Sequence, residues 1–186
     1  WSSTADGTAP NEPALSFGAL IYPTKITGNQ AILSRQDATT GLVKTEWLLW
    51  LSGGKPRCDF YNADGTTQIG RYRNSAITVN TWNFVTATKS TGIVATAIKV
   101  YLEKAQVDDT SFAGGVYGGM SNTTVLTRLG FRQGTAAPDM YLQGKIALGF
   151  FVQAELSATQ VGSLVSIKDE ALRSGNTMIR RLWRGM

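Results

Sequence analysis

The chain has 186 residues, 42% of them hydrophobic, with 18 Lys and Arg against 13 Asp and Glu and no His. That length builds one domain with a sizeable core, and the lack of His excludes Ser-His and Cys-His catalysis and His-held metals. A single Cys58 excludes an internal disulfide and a thiolate zinc cluster.

Residues 1–13 are rich in Ser, Thr, Ala and Pro and read as an irregular arm. From Ala14 the pattern changes to short apolar runs at residues 15–22, 31–35, 46–51, 57–62, 68–73, 82–88, 97–102, 125–131 and 141–153. Pro23, Gly28-Asn29, Gly53-Gly54, Asp64-Gly65, Asn80 and Gly134 punctuate them, as turns do between the strands of an all-β protein. Gly53-Gly54 suits a two-residue turn in which both residues take positive φ. That turn pairs Trp47 with Phe60 and Leu49 with Cys58 on one apolar face. The other face then carries Trp50 opposite Arg57 and Leu48 opposite Asp59, the mixture of a half-exposed sheet surface. Residues 103–124 are rich in Gly and Ser and read as a long loop. One helix is signalled, by Ser157 with Gln160 three residues on, ahead of Val161, Leu164 and Val165, and it is expected to end near Lys168. The expected fold class is therefore all-β, a two-sheet antiparallel β-sandwich with a short C-terminal helix.

The net charge of +5 is unevenly spread. Residues 1–167 hold 13 basic against 11 acidic side chains, whereas residues 168–186 hold Lys168, Arg173, Arg180, Arg181 and Arg184 against Asp169 and Glu170. A body so nearly neutral lacks the dense basic stripe of a nucleic-acid-binding domain, and nucleic acid is not an expected partner. No apolar run approaches the roughly 20 residues of a membrane span.

In order, these segments resemble the concanavalin A-like lectin/glucanase jelly roll, specifically its laminin G-like branch. Leu15-Ser-Phe-Gly-Ala-Leu-Ile-Tyr-Pro23-Thr24 is similar to the opening strand and its Pro turn. Gln30-Ala-Ile-Leu-Ser-Arg35 resembles the next strand, and the Trp47 to Lys55 segment the hairpin after it. Asn80-Thr-Trp82-Asn-Phe-Val85 is similar to the family's tryptophan strand, and residues 97–102 to the strand that follows. Gln143-Gly-Lys-Ile146 through Phe151, then Ala154-Glu-Leu-Ser157-Ala-Thr-Gln160-Val, resembles the closing strand and helix. Ala147 stands where family members often carry Asp, and the family's usual first strand is short or missing. The resemblance implies a jelly-roll domain over residues 14–167, between the arm at 1–13 and a basic tail at 168–186.

Jelly-roll glucanases carry alternating acidic residues on one strand, and glycosidases in general need two carboxylates flanking the bond; no strand here has that pattern. The resemblance implies a non-catalytic recognition or adhesion module, binding a glycan, a cell-surface polymer or a protein. Aromatic faces with adjacent polar groups are what sugar rings require, and Trp50, Arg57, Asp59, Tyr61 and Tyr117 are the candidates. Calcium is the one cofactor the resemblance admits, with the loop acids Asp37 and Asp139 as candidate ligands. Arg180, Arg181, Trp183 and Arg184 in the tail combine charge with one large apolar side chain, as an anchor onto an assembly would. The expected setting is extracellular or a virion surface, as a bacteriophage decoration, fibre or host-attachment protein, and a homo-oligomer. Two alternatives stay open: a capsid or fibre subunit that binds no ligand, and a polysaccharide-active hydrolase or lyase.

Overall fold

A computed structural model describes residues 12–37, 44–62, 65, 67–120, 125–134 and 137–173. Thirteen strands follow in chain order: β1 (Leu15–Pro23), β2 (Asn29–Asp37), β3 (Lys44–Ser52), β4 (Lys55–Tyr61), β5 (Gln68–Tyr72), β6 (Asn83–Lys89), β7 (Ile98–Leu102), β8 (Ala105–Gln106), β9 (Thr110–Gly114), β10 (Thr127–Leu129), β11 (Arg132–Gln133), β12 (Pro138–Asp139) and β13 (Gly144–Val152). One helix, α1 (Ala158–Arg173), closes the described chain. The strands form a five-stranded sheet ordered β13-β1-β6-β7-β8, a six-stranded sheet ordered β10-β2-β3-β4-β5-β9, and a separate β11-β12 hairpin. Every pairing is antiparallel, and the two main sheets enclose a common core, the expected sandwich. Among the described residues no helix is long and apolar enough to cross a membrane.

Side-chain alternation decides which residues enter that core. Phe17, Ile21, Trp47, Leu49, Cys58, Phe60, Val85 and Val100 point inward and are buried. Phe17 stacks on Trp47 with ring centroids 4.2 Å apart, and Phe151 extends the stack at 5.8 Å from Trp47. Cys58 is a free thiol inside this core, its pKa driven upward by desolvation, which makes it an inert packing residue.

The β3–β4 hairpin has the register expected from its turn: Trp47 faces Phe60, Leu49 faces Cys58, Leu48 faces Asp59 and Trp50 faces Arg57. Gly53 and Gly54 sit at φ 57° and 80°, where a side chain is strained. A Cβ on Gly54 would also come within 2.7 Å of Ile26 Cβ.

Two element boundaries differ from the sequence reading, and the last residues of the arm are anchored. The arm assigned to residues 1–13 contains Glu12, which is fully buried and paired with Lys89 at 2.6 Å. Burying two charges is tolerated because both are saturated: Lys89 also donates to the Ser90 and Gly92 carbonyls, and Glu12 accepts from the Met120 amide and the Tyr117 hydroxyl. The Gly/Ser-rich segment 103–124 is not all loop, since β8 and β9 lie within it and β9 is the last strand of the six-stranded sheet. The capping box forms as read, with the Ser157 amide donating to Gln160 and the Gln160 amide to Ser157. The helix then runs past Lys168 to Arg173, because no Gly or Pro interrupts it there. Lys168 is held by Glu103 at 2.6 Å and Asp169 at 2.9 Å.

Helix α1 lies on the outer face of the five-stranded sheet. Val165 is buried against Leu20 and Phe84, with Leu164, Trp82 and Phe150 packed around them. Phe84 is fully buried there, and Phe150 stacks on it at 5.9 Å beneath this helix. Trp82 meets Tyr22 edge-on at 5.4 Å.

Candidate functional site

The outer face of the six-stranded sheet has no helix over it among the described residues. Its side chains come from alternate positions of four adjacent strands: Leu48 and Trp50 of β3, Arg57, Asp59 and Tyr61 of β4, Gly70 and Tyr72 of β5, and Phe112 of β9. The cross-strand pairs Trp50–Arg57, Arg57–Tyr72, Asp59–Gly70 and Gly70–Phe112 set them side by side.

Arg57 is the centre of this arrangement. Its guanidinium carbon lies 4.5 Å from the centroid of Phe112, 5.0 Å from that of Trp50 and 5.8 Å from that of Tyr72, within the range where a cation is attracted to an aromatic face. Its Nε donates to both oxygens of Asp59 at 2.8 Å. The indole N–H of Trp50 donates to the same carboxylate, also at 2.8 Å. Asp59 is wholly buried, and desolvation pushes its pKa up to about 6 against the opposing pull of Arg57. Gly70 makes room for it, because a Cβ there would fall 2.0 Å from Asp59 Oδ1. Desolvation, with the Asp59 charge adding to it, also drives the Tyr61 hydroxyl pKa upward, so it stays neutral and able to donate.

One end of the face is roofed. Ala31 donates its amide to the Met140 carbonyl at 2.7 Å, and Met140 and Tyr61 pack on Ala31, Leu48 and Trp50. Beside them Arg132 grips Asp139 through two bonds of 2.8 and 2.6 Å.

Four of the five sugar-binding candidates, Trp50, Arg57, Asp59 and Tyr61, therefore stand together. Their roles differ from an open platform: Trp50 is only 9% exposed, covered by Arg57 and Met140, and Asp59 is an internal brace. The half-exposed rings are those of Tyr61, Tyr72 and Phe112. Tyr117 does not join them. It is buried at 4% exposure in the core, its hydroxyl bound to Glu12, with desolvation and that carboxylate raising its pKa; its ring face is closed to a ligand.

Tyr72, Gly70 and Phe112 went unread in the sequence. Tyr72 is the outward position of a run that alternates from Gln68, which is a usable signal. Phe112 sits in a Gly/Ser-rich stretch whose apolar alternation is too short to mark a strand.

Of the two calcium candidates, only the Asp139 side chain is among the described residues. Asp139 is occupied by Arg132, and among the described residues no group of three acidic, His or Cys side chains is placed to hold a metal. Asp37 ends β2, and its side chain lies outside the described residues, as do the whole of Arg180, Arg181, Trp183 and Arg184. The buried carboxylates of Glu46 and Asp59 are each taken by an arginine, Glu46 by Arg35 and Asp59 by Arg57, both at 2.8 Å.

A laminin G-type family model, described as concanavalin A-like lectin/glucanases superfamily, matches residues 2–162. No curated protein matches the sequence. Among solved structures, the chain is similar to the CBM40 domain of the Ruminococcus gnavus IT-sialidase, solved with α2,3-sialyllactose bound, at TM-score 0.65 and 15% identity over 83% of each chain. A putative carbohydrate binding protein from Bacteroides ovatus aligns at TM-score 0.59 and 11% identity, over 87% of this chain and 42% of that one. The SAP-like heptameric pentraxin of Limulus polyphemus aligns at TM-score 0.56 and 13% identity, over 88% and 78%. At such identities the likeness is one of fold.

Proposed function

The chain belongs to the concanavalin A-like lectin/glucanases superfamily, and from that premise we propose that it is a non-catalytic glycan-recognition module. Its binding surface is the outer face of the six-stranded sheet. The observation that carries this reading is the convergence of Tyr72, Phe112 and Trp50 around one guanidinium, with Tyr61 packed beside Trp50. Such a rigid face offers rings for sugar stacking beside hydrogen-bond donors, on strands rather than loops. The bound sialyllactose of the Ruminococcus gnavus domain and the name of the Bacteroides ovatus protein lend it support by analogy of fold. The proposal extends to its setting, the outside of a cell or of a bacteriophage particle, as a decoration, fibre or host-attachment protein.

A glycan array with wild type and the Tyr72→Ala/Phe112→Ala double variant tests the surface. Binding by wild type that the double variant loses is expected; equal binding by both, or binding by neither, removes the reading. Immunogold labelling of purified particles tests the setting, and particles without label overturn it.

One observation favours a second reading, a structural subunit that assembles with copies of itself. Strand β13 is the outermost strand of the five-stranded sheet among the described residues, and its Leu148 and Val152 are exposed at 49% and 38%. Edges of this kind recruit partners unless charge protects them, and Lys145 is the only charge on β13. Light scattering over a range of concentrations separates the two: a Leu148→Lys-sensitive oligomer supports assembly through β13, and a monomer at every concentration refutes it.

A further inference from the structure

Resting on the saccharide reading of this face, we propose that its ligand is acidic: a saccharide bearing a carboxylate or sulfate group, received by the free end of the Arg57 guanidinium. The argument is one of unspent donors. Arg57 uses Nε on Asp59, and its two terminal nitrogens donate to no atom among the described residues. The side chain is 19% exposed, and neither terminal nitrogen is among the buried polar atoms without a partner, so both meet solvent. Nearby Arg132, by contrast, spends Nε and a terminal nitrogen on Asp139.

The fork is also immobilised before any ligand arrives. Asp59 fixes the inner edge, and Trp50, Tyr72 and Phe112 hold the plane at 5.0, 5.8 and 4.5 Å. Little side-chain freedom is left to lose on binding. A planar guanidinium with two unspent terminal nitrogens can match two oxygens of one oxyanion, and such charge-assisted pairs are about twice as strong as neutral hydrogen bonds to a hydroxyl. The flanking half-exposed rings of Tyr72 and Phe112 then give the sugar ring carrying that group an apolar wall.

Titration calorimetry with lactose, α2,3-sialyllactose, a galacturonic acid trisaccharide and a heparin tetrasaccharide tests this. The proteins are wild type, Arg57→Lys, and the Arg57→Ala/Asp59→Asn double variant, which removes the cation without leaving a buried carboxylate unpaired. Thermal melts verify that each is folded, and Arg57→Lys keeps the test open where the double variant is not. The wild type is expected to bind at least one acidic saccharide about tenfold or more tighter than lactose, with affinity falling as salt rises. The double variant loses that preference, and Arg57→Lys, a cation without a fork, weakens it. Binding of the uronic acid or sialic acid arm as tight as that of heparin identifies carboxylate as the recognised group, and preference for heparin over both, since heparin carries carboxylates too, identifies sulfate; either supports the inference. Lactose bound as tightly as the acidic saccharides overturns it and leaves the glycan reading standing, as does an acidic preference that survives in the double variant. No binding of any saccharide in this panel or on the array overturns both.

Discussion

The two sheets share one core but treat their outer faces oppositely. On the five-stranded sheet, Leu20, Phe84 and Phe150 are apolar and lie under α1, which is pinned at its far end by Lys168 on Glu103. On the six-stranded sheet the corresponding face carries Arg57, Asp59 and four aromatic rings, with only Met140 and the β11–β12 hairpin at one end among the described residues. A helix laid on a sheet demands a continuous apolar patch, and Arg57 and Asp59 forbid one. The covered face stabilises the fold; the uncovered one keeps charged and aromatic groups at half exposure, where a ligand reaches them.

Substitutions on the two faces should separate accordingly. Phe84→Ala, beneath the helix, is expected to have the largest effect, destabilising the protein by about 3–5 kcal/mol in denaturant titration while leaving saccharide binding intact in the folded fraction. The next effect lies on the open face and depends on pH. Folded Asp59 takes up its proton at about pH 6, an unfolded aspartate near 3.9. Between these values the folded state holds the extra proton, so the contribution of Asp59 to stability falls as pH rises through the window and is level above it. The fall amounts to roughly 3 kcal/mol. Asp59→Asn has no such step, and the difference between wild-type and variant stabilities measured from pH 4 to 7 isolates it from the other carboxylates. A flat difference would mean that Asp59 ionises as an ordinary surface acid.

Smaller effects follow. Gly70→Ala forces a methyl group into the space of the Asp59 carboxylate and is expected to cost about 1–3 kcal/mol, together with saccharide binding, since Arg57 loses its brace. Phe112→Ala, on the same face, is expected to change stability by about 1 kcal/mol or less and to lower saccharide affinity. Lys168→Met removes a partly exposed pair with Glu103, worth about 0.2–1 kcal/mol, readable as a small drop in melting temperature and no change in binding.

Much of the site was within reach of local reasoning, and the limit has a physical form. Trp50 beside Arg57 is readable because two glycines of positive φ fix the hairpin register, and register fixes every cross-strand pair in it. The second half of the site is not readable that way. Arg71 and Tyr72 find β9 across residues that carry neither a tight turn nor a clear alternation, so nothing local states that Phe112 faces Gly70. Tyr117 fails as a candidate for the same reason: a tyrosine between glycines looks exposed until Glu12, from the other end of the chain, is found bonded to its hydroxyl.

The sequence by itself determined strands β1 to β7, β10 and β13, the β3–β4 register, the capped start of the helix and the exclusion of His- and Cys-based chemistry, because alternation, turn conformation and residue inventory are local properties. Only the tertiary structure decided that Lys89 is a buried cation matched by Glu12, that α1 covers one sheet and leaves the other open, and that Arg57 has three rings around it. Those are pairings between segments far apart in the chain, set by where the strands pack and not by any neighbour in sequence.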